Sequence, residues 1–304
     1  MKLTRKVKHI LNQYEGERPG VKLNLARFLM QGRLGGSGKL LFLAVDQGFE
    51  HGPRAFVMNP EAFDPHYHFR LGLDAGLSGY AAPLGFLEAG SETYLGSIPT
   101  VLKINSGNSL TGKDNPPDQA VTATIDDALR LGCSAIGFTI YPSSDMCNDQ
   151  IEEIRELAAE AKSCGLAVIM WSYPRGAISK AGETALDVIA YGAQMACQLG
   201  AHIVKVKMPT THLEMDAAKG LYEKHIDGAT SAARVKHIVQ SCFNGRRMVI
   251  FSGGEAKDVA SVQADIDAIK AGGGNGAIIG RNCFQRPRQE AMLMLNGLVK
   301  SFSM

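Results

Sequence analysis

The chain has 304 residues, 45% hydrophobic and 20% charged, the balance of a globular protein rather than a disordered or fibrous one. With 32 Lys+Arg against 30 Asp+Glu the net charge is only +2, and no Lys/Arg run exceeds two residues, which excludes a nucleic-acid footprint. The six cysteines form no Cys-x-x-Cys pair, so a reduced cytoplasmic protein is expected, without disulfide or structural zinc.

Residues 1–38 read as an N-terminal helical extension. Leu3, Val7, Ile10 and Leu11 form an apolar stripe that closes the bottom of the fold or meets another subunit rather than a membrane. The opening MKLTRKVKHILNQYEGER has no uninterrupted apolar stretch, so neither a signal peptide nor a membrane span is expected. Short apolar runs follow at 40–45, 77–83, 100–104, 135–140, 166–170, 202–208, 248–251 and 276–279, each the length of a strand. Helical spacing lies between them, most clearly at 151–163, 183–199 and 256–270. Alternation of nearly continuous apolar strands with helices implies a parallel sheet covered by helices. No Gly-x-Gly-x-x-Gly follows the first run, and eight such units over 1–304 fit a single-domain α/β fold, a (β/α)8 TIM barrel, better than a doubly wound sheet. Residues 105–118 (NSGNSLTGKDNPPD) have the composition of a loop.

In such a barrel chemistry sits at the carboxyl ends of the strands. The first strand ends in Asp46-Gln47-Gly48-Phe49-Glu50-His51, the third carries Lys103 and Asn105, and the fifth runs into Trp171-Ser172-Tyr173-Pro174-Arg175. The seventh ends in Ser252-Gly253-Gly254 and the eighth in Gly280-Arg281-Asn282. The sixth strand is the most informative. Side chains alternate faces, so if Val204, Val206 and Met208 pack under helices, Lys205 and Lys207 both point into the barrel. A lysine inside an apolar barrel is rare without a task, and desolvation beside a second cation favours the neutral amine that can attack a carbonyl. The competing interpretation is a snorkelling Lys205 with Lys207 in solvent. Trp171, Tyr173 and Arg175 share a face if the fifth strand stays extended, which would bring a phenol able to move a proton near Lys205. Asp46 is either a cap or a strand-tip acid. The two glycine turns after the last strands suit phosphate, with Arg281 as a fork of donors.

The segments AVDQGFEHGP, WSYPRG, HIVKVKMP, SGG and GRNCFQRP, in this order over 44–287, resemble those of the archaeal-type class I fructose-1,6-bisphosphate aldolases, which also occur in bacteria. The resemblance implies a metal-independent lyase without cofactor, a phosphosugar substrate and a homo-oligomer. It implies Lys205 as the Schiff-base lysine, Tyr173 as proton donor and Asp46 as the acid that orients sugar hydroxyls. The implied substrate contacts are Gln47, His51, Lys103, Trp171, Arg175, Lys207, Ser252, Gly253, Gly254, Gly280 and Arg281. The stretches 105–118 and 209–245 are longer than in the shortest members. A lysine-dependent transferase or an aldolase for another phosphorylated ketose on the same barrel stays open, as does a non-catalytic phosphosugar scaffold. So does metal-dependent cleavage through Asp46, Glu50 and His51 or through His66 and His68.

Overall fold

The computed structural model describes residues 2–110, 112, 114–253 and 258–303. Within them each apolar run is a strand, and the eight are β1 (Leu40–Ala44), β2 (Gly79–Ala82), β3 (Thr100–Lys103), β4 (Ala135–Ile140), β5 (Ala167–Ser172), β6 (Ile203–Lys207), β7 (Met248–Ser252) and β8 (Gly276–Ile279). All pairs are parallel, neighbours follow chain order, and β8 returns to β1 to close the barrel. The fold is therefore a (β/α)8 barrel. The expected helices are present as Cys147–Ser163, Leu186–Gln198 and Val259–Ala271.

Strand periodicity divides the hydrophobic side chains into two sets. Phe42, Val101, Ala135, Ile169, Trp171, Ile203, Ile250 and Ile278 fill the barrel interior. The residues out of phase with them, Leu41, Leu102, Ile136, Phe138, Val168, Met170, Val204 and Phe251, pack outward under the helices. Because Val204 and Val206 fall in the outer set, Lys205, one residue out of phase with them, faces inward with Ile203.

Two helices cover the amino-terminal end of the barrel. The first, α1 (Arg5–Asn12), is capped by Thr4, whose Oγ1 accepts from Val7 N at 3.2 Å, and the second, α2 (Pro19–Met30), begins on a proline. Val7, Ile10, Leu11, Val21, Leu25 and Phe28 join the interior set. Between the helices Tyr14 donates to the His202 carbonyl at 2.6 Å and accepts from Met248 N at 3.2 Å, so one phenol satisfies backbone at the start of β6 and β7. Beside it His202 Nε2 lies 3.1 Å from Glu17, and Lys162 donates to the same Glu17 oxygen at 2.9 Å.

Local differences from expectation have physical reasons. The 105–118 loop is bordered by a two-stranded antiparallel ladder, Asn105–Ser106 with Ala120–Val121, because Asn105 is held against β4: Thr139 N donates to its Oδ1 at 2.8 Å and its Nδ2 donates to the Thr139 carbonyl at 2.9 Å. After β1 the chain turns at once into a short helix, Gln47–His51, ended by Gly52 at φ 66°. The 183–199 helix is two pieces, a 3-10 turn at Gly182–Thr184 and Leu186–Gln198, separated by extended Ala185. The 209–245 region contains two helices, Asp216–His225 and Ser231–Ser241. No helix among the described residues is long and apolar enough to cross a membrane.

Candidate active site

Lys205 stands near the carboxyl end of β6, only 4% exposed, because the strand's inward face carries it into the barrel. Trp171 is its direct partner on β5 and Ile250 on β7. Its Nζ is 4.8 Å from the Trp171 ring centroid and 5.3 Å from that of Tyr173. The fifth strand ends at Ser172, yet Tyr173 keeps one more ladder bond, its N–H donating to the Ile140 carbonyl at 3.0 Å, so the phenol stays above the indole. Lys207 Nζ lies 5.9 Å from the same phenol ring.

Two cations of the mouth, Lys207 and Arg175, are held by carboxylates. Lys207 donates to Glu183 at 2.8 Å, and Lys180 donates to the other oxygen of Glu183 at 3.0 Å. Burial works against the Glu183 anion, but these two bonds outweigh it and hold its carboxyl below the usual range. Burial pushes the Lys207 ammonium down, with Glu183 opposing. Arg175 has turned away from Lys205: it donates to Glu50 at 3.0 Å and lies over the Tyr141 ring at 5.3 Å. His51 is pushed down by burial, reinforced by Arg281, Arg54 and Arg175 and opposed by Glu50, and its Nδ1 lies 3.2 Å from Ser109 Oγ.

Asp46 and Gln47 begin the turn after β1, and one buried oxygen of each, Oδ1 and Oε1, has no hydrogen-bond partner among the described residues. Such atoms in a cleft point to a polar ligand that would complete them. Beside them, the turns after β7 and β8 touch: Asn282 Nδ2 donates to the Gly253 carbonyl at 3.3 Å. A Cβ at Gly280 would stand 2.8 Å from Gln47 Nε2 and 3.0 Å from the Ala44 carbonyl, and one at Gly253 would stand 2.9 Å from Asn282 Nδ2. The two glycines let the turns, Gln47 and Asn282 approach this closely.

Asp46, Gln47, His51, Tyr173, Arg175, Lys205, Lys207, Ser252, Gly253, Gly280 and Arg281 line one pocket of about 670 Å³, its open mouth included. Trp171 lies beneath it. Lys103, expected as a substrate contact, is not among the residues that line this pocket. It is 2% exposed, and its amine donates into the hairpin, to the Asn105 carbonyl, to Asn105 Oδ1 at 2.8 Å and towards Gln119 Oε1 at 3.5 Å. Burial drives its ammonium pKa down to about 7, with Asp46 opposing and Lys205 adding to the fall. Gly254 lies outside the described residues. Glu50, Glu183 and Asn282 also line the pocket or hold its walls, and the motif reading left them out of the site. Glu50 and Asn282 stood inside quoted motifs, whereas nothing in the spacing of Glu183 marks it as the partner of Lys207. Of the residues in the metal alternatives, Glu50 holds Arg175, and His66 and His68 each meet a backbone carbonyl, Ala89 and Ala62, at 2.8 Å.

A parallel barrel with a buried amine on its sixth strand, an aromatic wall and a cationic mouth is built to receive an anionic carbonyl compound at the amine. The chain belongs to the DeoC/LacD family of aldolases, whose model matches residues 40–286. It is 33% identical over 250 residues to the class 1 fructose-bisphosphate aldolase of Thermoproteus tenax, covering 82% of this chain and 84% of that one. It is 35% identical over 260 residues to that of Halobacterium salinarum, covering 84% and 88%. An archaeal fructose-1,6-bisphosphate aldolase with its catalytic lysine covalently bound to the carbinolamine intermediate superimposes with a TM-score of 0.76 at 29% identity, over 93% of this chain and all of that one.

Proposed function

We infer that this chain is a Schiff-base aldolase that reversibly cleaves fructose 1,6-bisphosphate to dihydroxyacetone phosphate and glyceraldehyde 3-phosphate. The observation that carries the reading is Lys205, a buried amine between Trp171 and Tyr173 at the floor of a cationic pocket. The neutral amine of Lys205 adds to the C2 carbonyl, and loss of water leaves a protonated imine. That cation accepts the electron pair when the C3–C4 bond breaks, as a base removes the C4 hydroxyl proton. Tyr173 protonates the resulting enamine, and hydrolysis of the imine releases dihydroxyacetone phosphate. Asp46, with its unpartnered Oδ1, orients sugar hydroxyls and assists proton transfer at the carbinolamine.

The glycine turns after β7 and β8 with Arg281 take one phosphate, and Arg175, Lys207 and His51 lie along the path of the other. Holding both ends across the mouth brings C2 to the amine, so positioning is part of the catalysis. No step calls for a metal or cofactor, and activity should survive EDTA. The same reading makes the enzyme cytoplasmic and a homo-oligomer, and light scattering checks its mass.

Borohydride reduction in the presence of dihydroxyacetone phosphate, followed by peptide mapping, tests the assignment. One triose phosphate per chain on the Lys205 peptide is expected; an adduct confined to Lys103 or Lys207 refutes it. Lys205→Ala should abolish cleavage, and Lys205→Arg should do no better, because a guanidinium stays protonated.

A further inference from the structure

Gly137 lies on an ordinary stretch of β4, outside the positive-φ set, so no turn demands a glycine there. It lies in phase with inward-facing Ala135, and a Cβ on it would stand 2.4 Å from Cζ3 and 2.5 Å from Cη2 of Trp171, and 3.2 Å from Cγ1 of Val101. Carbon atoms do not approach that closely, and the indole, 1% exposed, has no room to retreat. A glycine inside a strand at such a point marks a close approach. The bulk that it admits is the ring against which Lys205 rests: Trp171 pairs with Thr139 on one side and Lys205 on the other, and its centroid is 4.8 Å from Lys205 Nζ. The Lys103 amine lies 5.9 Å from the same centroid.

We propose that Gly137 is a positioning residue for the reaction: by seating the indole of Trp171 it sets where the Lys205 amine meets the substrate carbonyl. The inference rests on the assignment of Lys205 as the imine-forming amine. An alanine at 137 displaces the indole from its seat, and with it the surface against which the Lys205 amine rests. Displacing a nucleophile by about 1 Å costs roughly 10²-fold in rate.

The test is a double-mutant cycle between Gly137→Ala and Trp171→Phe, since phenylalanine lacks the two indole atoms that the new Cβ would strike. The readout is the rate of borohydride-trapped imine at Lys205 with dihydroxyacetone phosphate, located by peptide mapping, with thermal unfolding measured alongside. Gly137→Ala should slow trapping by about 10²-fold in the parent chain and change it little in the Trp171→Phe chain. If Gly137→Ala does not fold, the comparison between Trp171→Phe and the double variant decides: unchanged trapping supports the seat and a further loss overturns it. Parent protein trapped at Lys205, with equal slowing in both backgrounds or none in either, overturns the seat alone. Parent protein trapped at another lysine overturns the mechanistic assignment itself.

Discussion

Tyr173 is separated from Lys205 by one ring contact, with the phenol centroid 5.3 Å from the amine. Replacing it by phenylalanine keeps the ring and removes only the proton carrier. Imine formation with dihydroxyacetone phosphate should survive in Tyr173→Phe while turnover falls by about 10² to 10⁴, the worth of a general acid or base. Unchanged turnover would move the proton role to Asp46 or water. Arg281 opens the short helix after β8 and lines the pocket beside Gly280. If it holds a phosphate, Arg281→Ala loses a charge-assisted contact of about 1.5 to 3 kcal/mol, roughly ten- to 150-fold in affinity. Comparing kcat/KM for fructose 1,6-bisphosphate and fructose 1-phosphate in both proteins shows which phosphate is involved. Equal kinetics for variant and parent on both substrates would remove Arg281 from the site. At Lys103, Asn105 and Gln119 hold the amine, and their positions depend on a hairpin that pairs across the intervening loop.

Among the elements, α1, α2 and their connection act as a lid on the closed end of the barrel, fastened by Tyr14 and Glu17. Val168 N–H donates to His202 Nδ1 at 2.8 Å, so that nitrogen carries no proton and the imidazole is neutral, with Nε2 facing Glu17. Burial pushes His202 down, with Glu17 opposing. The His202 bond, aided by Lys162 and opposed by burial, holds the Glu17 carboxyl at about 2 against an ordinary value of 4.5. Both folded values are depressed, so in each case the unfolded chain binds more protons on acidification. The stabilisation is complete above the unfolded values and fades as pH falls, first for His202 below its usual 6.5 and then for Glu17 between 4.5 and about 2. Glu17→Gln should therefore lower Tm at pH 7 and flatten the part of the acid decline that falls between pH 4.5 and about 2. Thermal scans of both proteins across that range measure it, and parallel curves would show that the carboxylate contributes nothing. The site lies at the opposite ends of the strands, so kcat at pH 7 should stay near the parent's.

For the molecule as a whole, charge is nearly balanced at +2, yet Arg175, Lys205, Lys207 and Arg281 converge on one mouth. Glu50 and Glu183 neutralise Arg175 and Lys207, which leaves Arg281, set against Asp46, as the cation that an approaching phosphate meets. Raising ionic strength shortens the screening length from about 10 Å at 0.1 M to about 3 Å at 1 M. Steady-state assays should then show kcat/KM for the bisphosphate falling with salt while kcat holds; a flat kcat/KM would mean that the two carboxylates cancel the field. The architecture that creates this mouth was legible in the chain. Eight apolar runs of strand length specify the barrel, because strands covered on both faces must be apolar throughout, and the alternation along IVKVK turns Lys205 inward whichever helices cover Val204 and Val206. Those are local, periodic properties, and one sequence carries them in full. What needed the tertiary structure were contacts between segments far apart in the chain. Glu183 on Lys207 and Glu50 on Arg175 come from separate short helical turns, and the Lys103 amine turns into a hairpin. Gly137 sits under Trp171. No periodicity encodes these, since which side chains meet across a barrel depends on strand register and loop path, and both are decided only when the barrel closes.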